Sequence, residues 1–175
     1  MIYENKDDFL AQVSKLKKFK VLGIDFGEKK SGLAIYNSEI NLAMPLAIFK
    51  EIYKNLDGLF ELIQNNVINA IIVGLPLKLD GSATNHTENI VKFTNILELK
   101  TKLPIILSDE RCTTMLANTL LKEANLKRKM RNQVDDVVVA CILLENFFSY
   151  ANPKSLHLKT REAEINSGGC VKLTN

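Results

Sequence analysis

The chain has 175 residues, of which 46% are hydrophobic and 25% charged, proportions that exclude a disordered or fibrous chain and suit a globular protein with a buried core. Its net charge of +3 is mildly basic and compatible with a phosphate-rich partner. The three cysteines form no CxxC pair, and the sequence has no apolar run of about 18 residues, the length that spans a membrane. We therefore predict a cytoplasmic protein with free thiols and no membrane partner.

Hydrophobic periodicity predicts alternating strands and helices along most of the chain. An N-terminal extension of residues 1–19 is predicted to carry an amphipathic helix over residues 6–19. Apolar runs predict five strands, at residues 20–25, 32–37, 42–49, 70–75 and 103–108. Apolar spacings of three and four residues predict helices around residues 56–63, 90–97, 116–120 and 134–149.

This order of elements predicts an α/β fold with a mixed central sheet and helices on both faces. The first two strands are close enough in sequence to form a hairpin, and strand–helix alternation follows them. Residues 151–175 lose the hydrophobic periodicity and contain two adjacent glycines. We predict that they form a polar C-terminal tail behind a single domain of residues 20–150.

Acidic residues occupy the ends of several predicted elements. Asp25 directly follows the apolar run of the first strand, Asp109 and Glu110 end the fifth strand, and Asp135 and Asp136 open the last helix. The carboxyl ends of strands line the ligand crevice of open α/β sheets, where neighbouring carboxylates repel each other unless a cation lies between them. Oxygen ligands without a nearby histidine suit Mg²⁺ or Mn²⁺.

Each of these acidic residues also has a purely structural interpretation. Asp135 or Asp136 could be an acidic residue stabilised by the N-terminal dipole of a helix, and Asp109 or Glu110 could pair with Arg111 or a lysine. Adjacent strand residues point to opposite faces, so only one of Asp109 and Glu110 can face the crevice. On the helix, Asp136 shares the apolar face, whereas Asp135 is turned about 100° away from it.

Basic residues adjoin this predicted acidic site. Residues 122–131 precede the last predicted helix and contain four residues that we call the basic tetrad: Lys127, Arg128, Lys129 and Arg131. A basic run is usually solvated surface, but beside a metal site it favours contacts with nucleic-acid phosphates. Lys29 and Lys30, which follow the first strand, could serve the same purpose, and Arg111 could orient Glu110 or the substrate.

Four segments resemble the signature blocks of one protein family: "LGIDFGEKKSGLAI", "IIVGLPLKLDGSATN", "DERCTT" and "VDDVVVACILLENFF". Over about residues 20–150, their order and spacing resemble those of the YqgF/RuvX family of candidate pre-16S rRNA nucleases. This family is similar in fold to RNase H and to Holliday-junction resolvases. The resemblance implies a three-layer RNase H-like fold with a mixed five-stranded sheet. It also implies that Asp25, Glu110 and Asp136 are the catalytic carboxylates and metal ligands. Ser31 stands where the family usually has an aliphatic residue.

The function implied by this resemblance is phosphodiester hydrolysis with Mg²⁺ or Mn²⁺, with two ions when the substrate is bound. The favoured partner is the RNA precursor of the small ribosomal subunit, branched DNA is the alternative, and the protein could be a monomer or a homodimer.

Two functions of other classes remain open. The first is an actin-like phosphotransferase, since the first phosphate loop of that class is also a strand that ends in Asp-x-Gly and is followed by a hairpin. The sequence contains no second phosphate loop of the kind found in this class. The other alternative is a nucleic-acid-binding module without catalysis. The presence of all three acidic residues, Asp25, Glu110 and Asp136, argues against it.

Overall fold

The structure is a computed structural model that describes residues 1–75, 85–109 and 128–149, with side chains for residues 1–75, 87–108 and 136–149. The chain divides into two compact units, residues 1–145 and 146–175. Of the second unit, only residues 146–149 are among those described. The site described below belongs to the first unit. The predicted tail over residues 151–175 lies outside the described residues.

The described residues form strands and helices in this order: β1 (Ile2–Tyr3), α1 (Lys6–Val13), β2 (Lys20–Asp25), β3 (Lys30–Asn37), β4 (Leu42–Lys50), a 3₁₀ helix (Ile52–Asn55), α2 (Leu56–Asn65), β5 (Ala70–Leu75), α3 (Asn85–Thr101), β6 (Ile105–Asp109) and α4 (Arg128–Ser149). All five predicted strands are present. The predicted helix at residues 6–19 is shorter than expected, and the one near residues 116–120 lies outside the described ranges. None of the helices in these ranges is long and apolar enough to cross a membrane.

The strands form one mixed sheet in the order β1-β6-β5-β2-β3-β4. Strand β3 is antiparallel to both β2 and β4, whereas β2, β5, β6 and β1 run parallel to one another. The mixed sheet confirms the prediction, but the predicted count of five strands is wrong, because the described residues form six. The additional strand, β1, pairs Ile2 with Ile105 and Tyr3 with Ile106. Two residues are too few to produce a detectable alternation of apolar and polar side chains.

Helices cover both faces of this sheet, as predicted. In β2, Leu22 and Ile24 are fully buried in a core that they share with residues of α2 and α3. The intervening Gly23 lies against α4, since a β-carbon at this position would be only 2.6 Å from Cγ of Leu144. Successive residues of a strand point to opposite faces, so α4 packs on the face opposite to α2 and α3.

Helix α4 begins earlier than its sequence pattern predicts. It starts at Arg128 rather than near residue 134, so Asp135 and Asp136 do not open it. The interpretation of these residues as acidic groups at a helix N-terminus is therefore wrong, because the dipole effect fades within the first turn. The basic tetrad does not precede the helix either. Three of its members lie in the first turn of α4, and Lys127 lies outside the described residues.

Candidate active site

Gly32 brings two of the predicted acidic residues together. Asp25, the last residue of β2, is paired across the sheet with Gly32 of β3, and paired residues share a face of the sheet. Gly32 in turn lies directly against α4, because a β-carbon there would overlap the backbone carbonyl of Asp136. The absence of a side chain at Gly32 therefore lets α4 approach the sheet beside Asp25.

Lys30 forms an ion pair with Asp136 at this point. Its Nζ atom lies 2.6 Å from Oδ2 of Asp136, and both side chains are about 30% exposed. The Oδ2 atom itself is buried and, among the described residues, accepts no hydrogen bond of acceptable angle. Nζ of Lys30 and Oδ2 of Asp136 thus form an ion pair without a hydrogen bond, which leaves this oxygen able to accept a further ligand. Burial of a charged oxygen is costly unless a cation compensates it, and among the described residues the Lys30 ammonium does so.

Asp25 is held in an environment that opposes its negative charge. Burial, and secondly repulsion by Asp136, raise the pKa of Asp25 from 3.8 to about 7, although the positive charge of Lys30 acts to lower it. A divalent cation would favour the charged form instead. Two neighbouring carboxylates, of which Asp136 has a buried oxygen that accepts no hydrogen bond among the described residues, are a donor set that fits a hard cation such as Mg²⁺ or Mn²⁺.

The turn between β2 and β3 is fixed by hydrogen bonds. The buried Ser31 donates from Oγ to the carbonyl of Gly27 at 2.9 Å and accepts from the amide of Gly27 at 3.2 Å. Gly27 has no room for a side chain, because a β-carbon would overlap the carbonyl of Lys30. The Glu51 amide donates to the carbonyl of Lys29 at 3.1 Å and joins the turn to the end of β4. The hydroxyl of Ser31 thus stabilises the turn that precedes Lys30.

A second group of residues beside this turn was not predicted from the sequence. The Tyr53 hydroxyl donates to the backbone carbonyl of Asn89 at 2.7 Å, and Nδ2 of Asn89 donates to Oε1 of Glu28 at 2.6 Å. The ring of Phe26 lies 4.9 Å from that of Phe93 and 5.7 Å from that of Tyr53. These contacts attach the turn to α3 and to the 3₁₀ helix. They join residues far apart in the chain, so no local sequence pattern could have revealed them.

The structure places only part of the predicted site. Asp25 and Asp136 interact with each other and with Lys30, whereas Lys29 is exposed. Glu110, Arg111 and Lys127 lie outside the described residues, as do the side chains of the other predicted residues: Asp109, Arg128, Lys129, Arg131 and Asp135. The described part of the chain contains no cluster of three or more potential metal ligands. The three-carboxylate site therefore stays a prediction.

Comparison with known proteins identifies the family. The family model for RuvX, described as a Holliday junction resolvase, matches residues 19–150. The chain belongs to the RuvX family. A candidate pre-16S rRNA nuclease of Orientia tsutsugamushi (strain Ikeda) is 48% identical over 146 residues, covering 83% of this chain and 92% of the relative. Another, from Rickettsia bellii (strain OSU 85-389), is 39% identical over 154 residues, covering 87% and 99%. The family prediction is confirmed, and with it the enzyme class, hydrolysis of phosphodiester bonds by a nuclease that binds nucleic acid.

Two solved structures share the architecture of this RuvX chain. Thermus thermophilus RuvC in complex with a Holliday junction substrate aligns with a TM-score of 0.51 at 14% identity, covering 76% of this chain and 96% of RuvC. The fowlpox virus Holliday junction resolvase aligns with a TM-score of 0.50 at 16% identity, covering 77% and 100%. At these identities the similarity concerns the fold alone, and it confirms the RNase H-like α/β prediction.

Proposed function

We propose that this RuvX protein is a divalent-metal-dependent nuclease that processes the 5′ end of the small-subunit ribosomal RNA precursor. The observation that supports metal dependence is the electrostatic repulsion between the neighbouring carboxylates of Asp25 and Asp136. In addition, the buried Oδ2 atom of Asp136 accepts no hydrogen bond among the described residues. The choice of RNA rests on the relatives named as candidate pre-16S rRNA nucleases. Such processing would take place in the cytoplasm.

Asp25, Asp136 and the predicted third ligand Glu110 would hold Mg²⁺ or Mn²⁺, and bound ions of this kind activate a water molecule and stabilise the leaving oxygen. Asp25 would hold the metal in its ionised form, so metal binding would favour the charged state that burial and Asp136 oppose. Asp136 contributes the buried Oδ2 atom from a helix packed against β3, which fixes its position relative to Asp25. The remaining task of the protein is to hold the scissile phosphate in line.

Basic residues would bind the phosphates of the substrate. The exposed Lys29 immediately precedes Lys30, and the helical members of the basic tetrad begin about two turns before Asp136 in α4. Arg111 would orient either Glu110 or the substrate. Contacts of this kind supply most of the affinity for nucleic acid without selecting a sequence.

A branched-DNA endonuclease is the second candidate, since the family model carries the description of a Holliday junction resolvase. Symmetric cleavage of a four-way junction requires two active sites, so this function would need a homodimer. Processing of an RNA end is compatible with a monomer.

A cleavage assay separates these functions. The full-length protein would be incubated with a 5′-extended 16S rRNA precursor, an unstructured RNA or a four-way DNA junction, each with Mg²⁺, Mn²⁺ or EDTA. We expect metal-dependent shortening of the precursor. Cleavage confined to the junction would replace the RNA proposal by the resolvase. Metal-independent binding without cleavage of any substrate would favour the non-catalytic module.

A further inference from the structure

We propose that Lys30 is the internal counter-ion of the metal-free site: its ammonium pairs with Asp136 and offsets part of the negative charge there, and an arriving divalent cation releases it to contact the substrate phosphate. This inference rests on the proposed function, because it assumes that Asp25 and Asp136 hold a divalent cation. It assigns to Lys30 a positioning role that its neighbour Lys29 does not share.

The contacts of Lys30 support the first half of the proposal. Its Nζ atom lies 2.6 Å from Oδ2 of Asp136, the buried oxygen that accepts no hydrogen bond among the described residues. The charge of Lys30 also acts on Asp25 and opposes the effects of burial and repulsion. One ammonium therefore acts on both carboxylates and offsets part of their negative charge. A divalent cation bound to the same Oδ2 atom would have to displace Nζ, because two cations cannot share one coordination position at ordinary contact distances.

The backbone that carries Lys30 is fixed, so the ammonium remains close after displacement. Lys30 is the first residue of β3 and is paired with Lys50 of β4. The two hydrogen bonds between Ser31 and Gly27 close the turn immediately before it. Displacement would therefore involve mainly the flexible four-carbon side chain, which keeps the released ammonium within reach of a substrate phosphate at the site.

This arrangement couples metal binding to substrate binding. Without substrate, the metal must break the ion pair between Lys30 and Asp136, and its affinity is lowered accordingly. With substrate, the released ammonium gains a phosphate partner, so the cost of breaking the ion pair is offset. Each ligand should therefore strengthen the binding of the other, as thermodynamic linkage requires.

The test is a Mn²⁺ titration of the metal-free, full-length protein by calorimetry. Lys30→Met removes the ammonium while keeping an unbranched side chain, and Lys30→Gln is a second neutral variant in case the first folds poorly. We expect both to bind Mn²⁺ about 2- to 5-fold more tightly than the wild type, the upper part of the range that corresponds to the strength of a partly exposed ion pair. Lys30→Arg keeps the charge and should retain the weak affinity.

Lys29→Met is the matched control, because it removes the same charge from the adjacent exposed position. We expect it to change the Mn²⁺ affinity by less than about 2-fold, as is usual for exposed charges. A similar gain in Lys29→Met and Lys30→Met would mean that net charge alone is responsible, and the proposal would be wrong. Equal or weaker Mn²⁺ binding by both neutral Lys30 variants, with melting temperatures near that of the wild type, would also overturn it.

The second half of the proposal is tested with a non-cleavable phosphorothioate RNA oligonucleotide. Saturation with this oligonucleotide should tighten Mn²⁺ binding by the wild type more than by Lys30→Met, and equal tightening would contradict the release of the ammonium. Failure of this inference can be distinguished from failure of the proposed function. A wild type that cleaves RNA with Mn²⁺ while neutral Lys30 variants gain no affinity rejects only the role of Lys30. A wild type that neither binds Mn²⁺ nor cleaves any nucleic acid rejects both.

Discussion

Replacing Asp25 by asparagine should stabilise the metal-free protein, increasingly so as the pH rises. Burial, and then repulsion by Asp136, raise the pKa of Asp25 from 3.8 to about 7 in the folded state, whereas in the unfolded chain it keeps its ordinary value. Between these pH values the folded protein binds more protons than the unfolded chain. The contribution of Asp25 to stability is therefore fully present below about pH 4 and is lost as the pH rises through about 7.

The magnitude follows from the size of this difference. A change in pKa from 3.8 to about 7 corresponds to at most about 4 kcal/mol, at 1.36 kcal/mol per pKa unit. Asp25 is partly exposed, so solvent screening reduces this figure. We expect Asp25→Asn to raise the free energy of unfolding by about 1 to 2 kcal/mol at pH 8.5, a typical gain when a strained functional residue is removed.

The assay is urea unfolding in EDTA at pH 5 and pH 8.5, for the wild type and Asp25→Asn. The variant should have the higher midpoint at pH 8.5, a smaller advantage at pH 5, and an unchanged dependence on urea concentration. Saturating Mn²⁺ should reverse the ranking at pH 8.5, because only the wild type keeps the complete ligand set. A wild type that is the more stable protein at pH 8.5 in EDTA would refute the reasoning, as would a difference that does not change with pH.

The remaining predictions concern the other residues of the site. Loss of a residue that supports a metal ligand reduces activity roughly 10- to 100-fold, and Asp136→Asn should reduce cleavage by more than this. Asp135→Asn should change cleavage only a few-fold. The reverse ranking would reject our helix register. Alanine at all four residues of the basic tetrad should reduce the slope of log binding constant against log salt concentration by roughly 0.7 to 0.9 for each lost phosphate contact. An unchanged slope would mean that the tetrad is solvated surface. Gly32→Ala should lower the free energy of unfolding by about 1 to 3 kcal/mol, because its β-carbon would overlap the Asp136 carbonyl; unaltered urea unfolding would contradict this contact.

The centre of the sheet could be predicted from the sequence because strands β2, β3 and β5 are buried. Strands such as β2 and β5 carry continuous apolar residues, and the predicted bounds of both agree with the structure. Two features escaped prediction. Strand β1 has only two residues, and the first turns of α4 are too polar to show helical periodicity, so the start of this helix was placed too late.

The site was predictable where it depends on the sheet and not where it depends on contacts between distant residues. Asp25 could be placed because it ends a buried strand. In contrast, the sequence does not show where the turn after β2 ends and β3 begins, so it could not show that Lys30 rather than Lys29 contacts Asp136. The requirement for glycine at Gly32 likewise appears only when α4 is packed against β3. The choice of Asp136 over Asp135 as a metal ligand stays a prediction.

The central claim is that Asp25 and Asp136 form a divalent-metal site for phosphodiester cleavage. Its most direct test measures cleavage of a 5′-extended 16S rRNA precursor by the wild type, Asp25→Asn and Asp136→Asn, with Mn²⁺ and with EDTA, alongside binding of the same RNA. We predict that the wild type cleaves only with metal and that both variants bind the RNA but lose cleavage by more than about 100-fold. Wild-type cleavage that persists in EDTA, or variants as active as the wild type, would contradict the account.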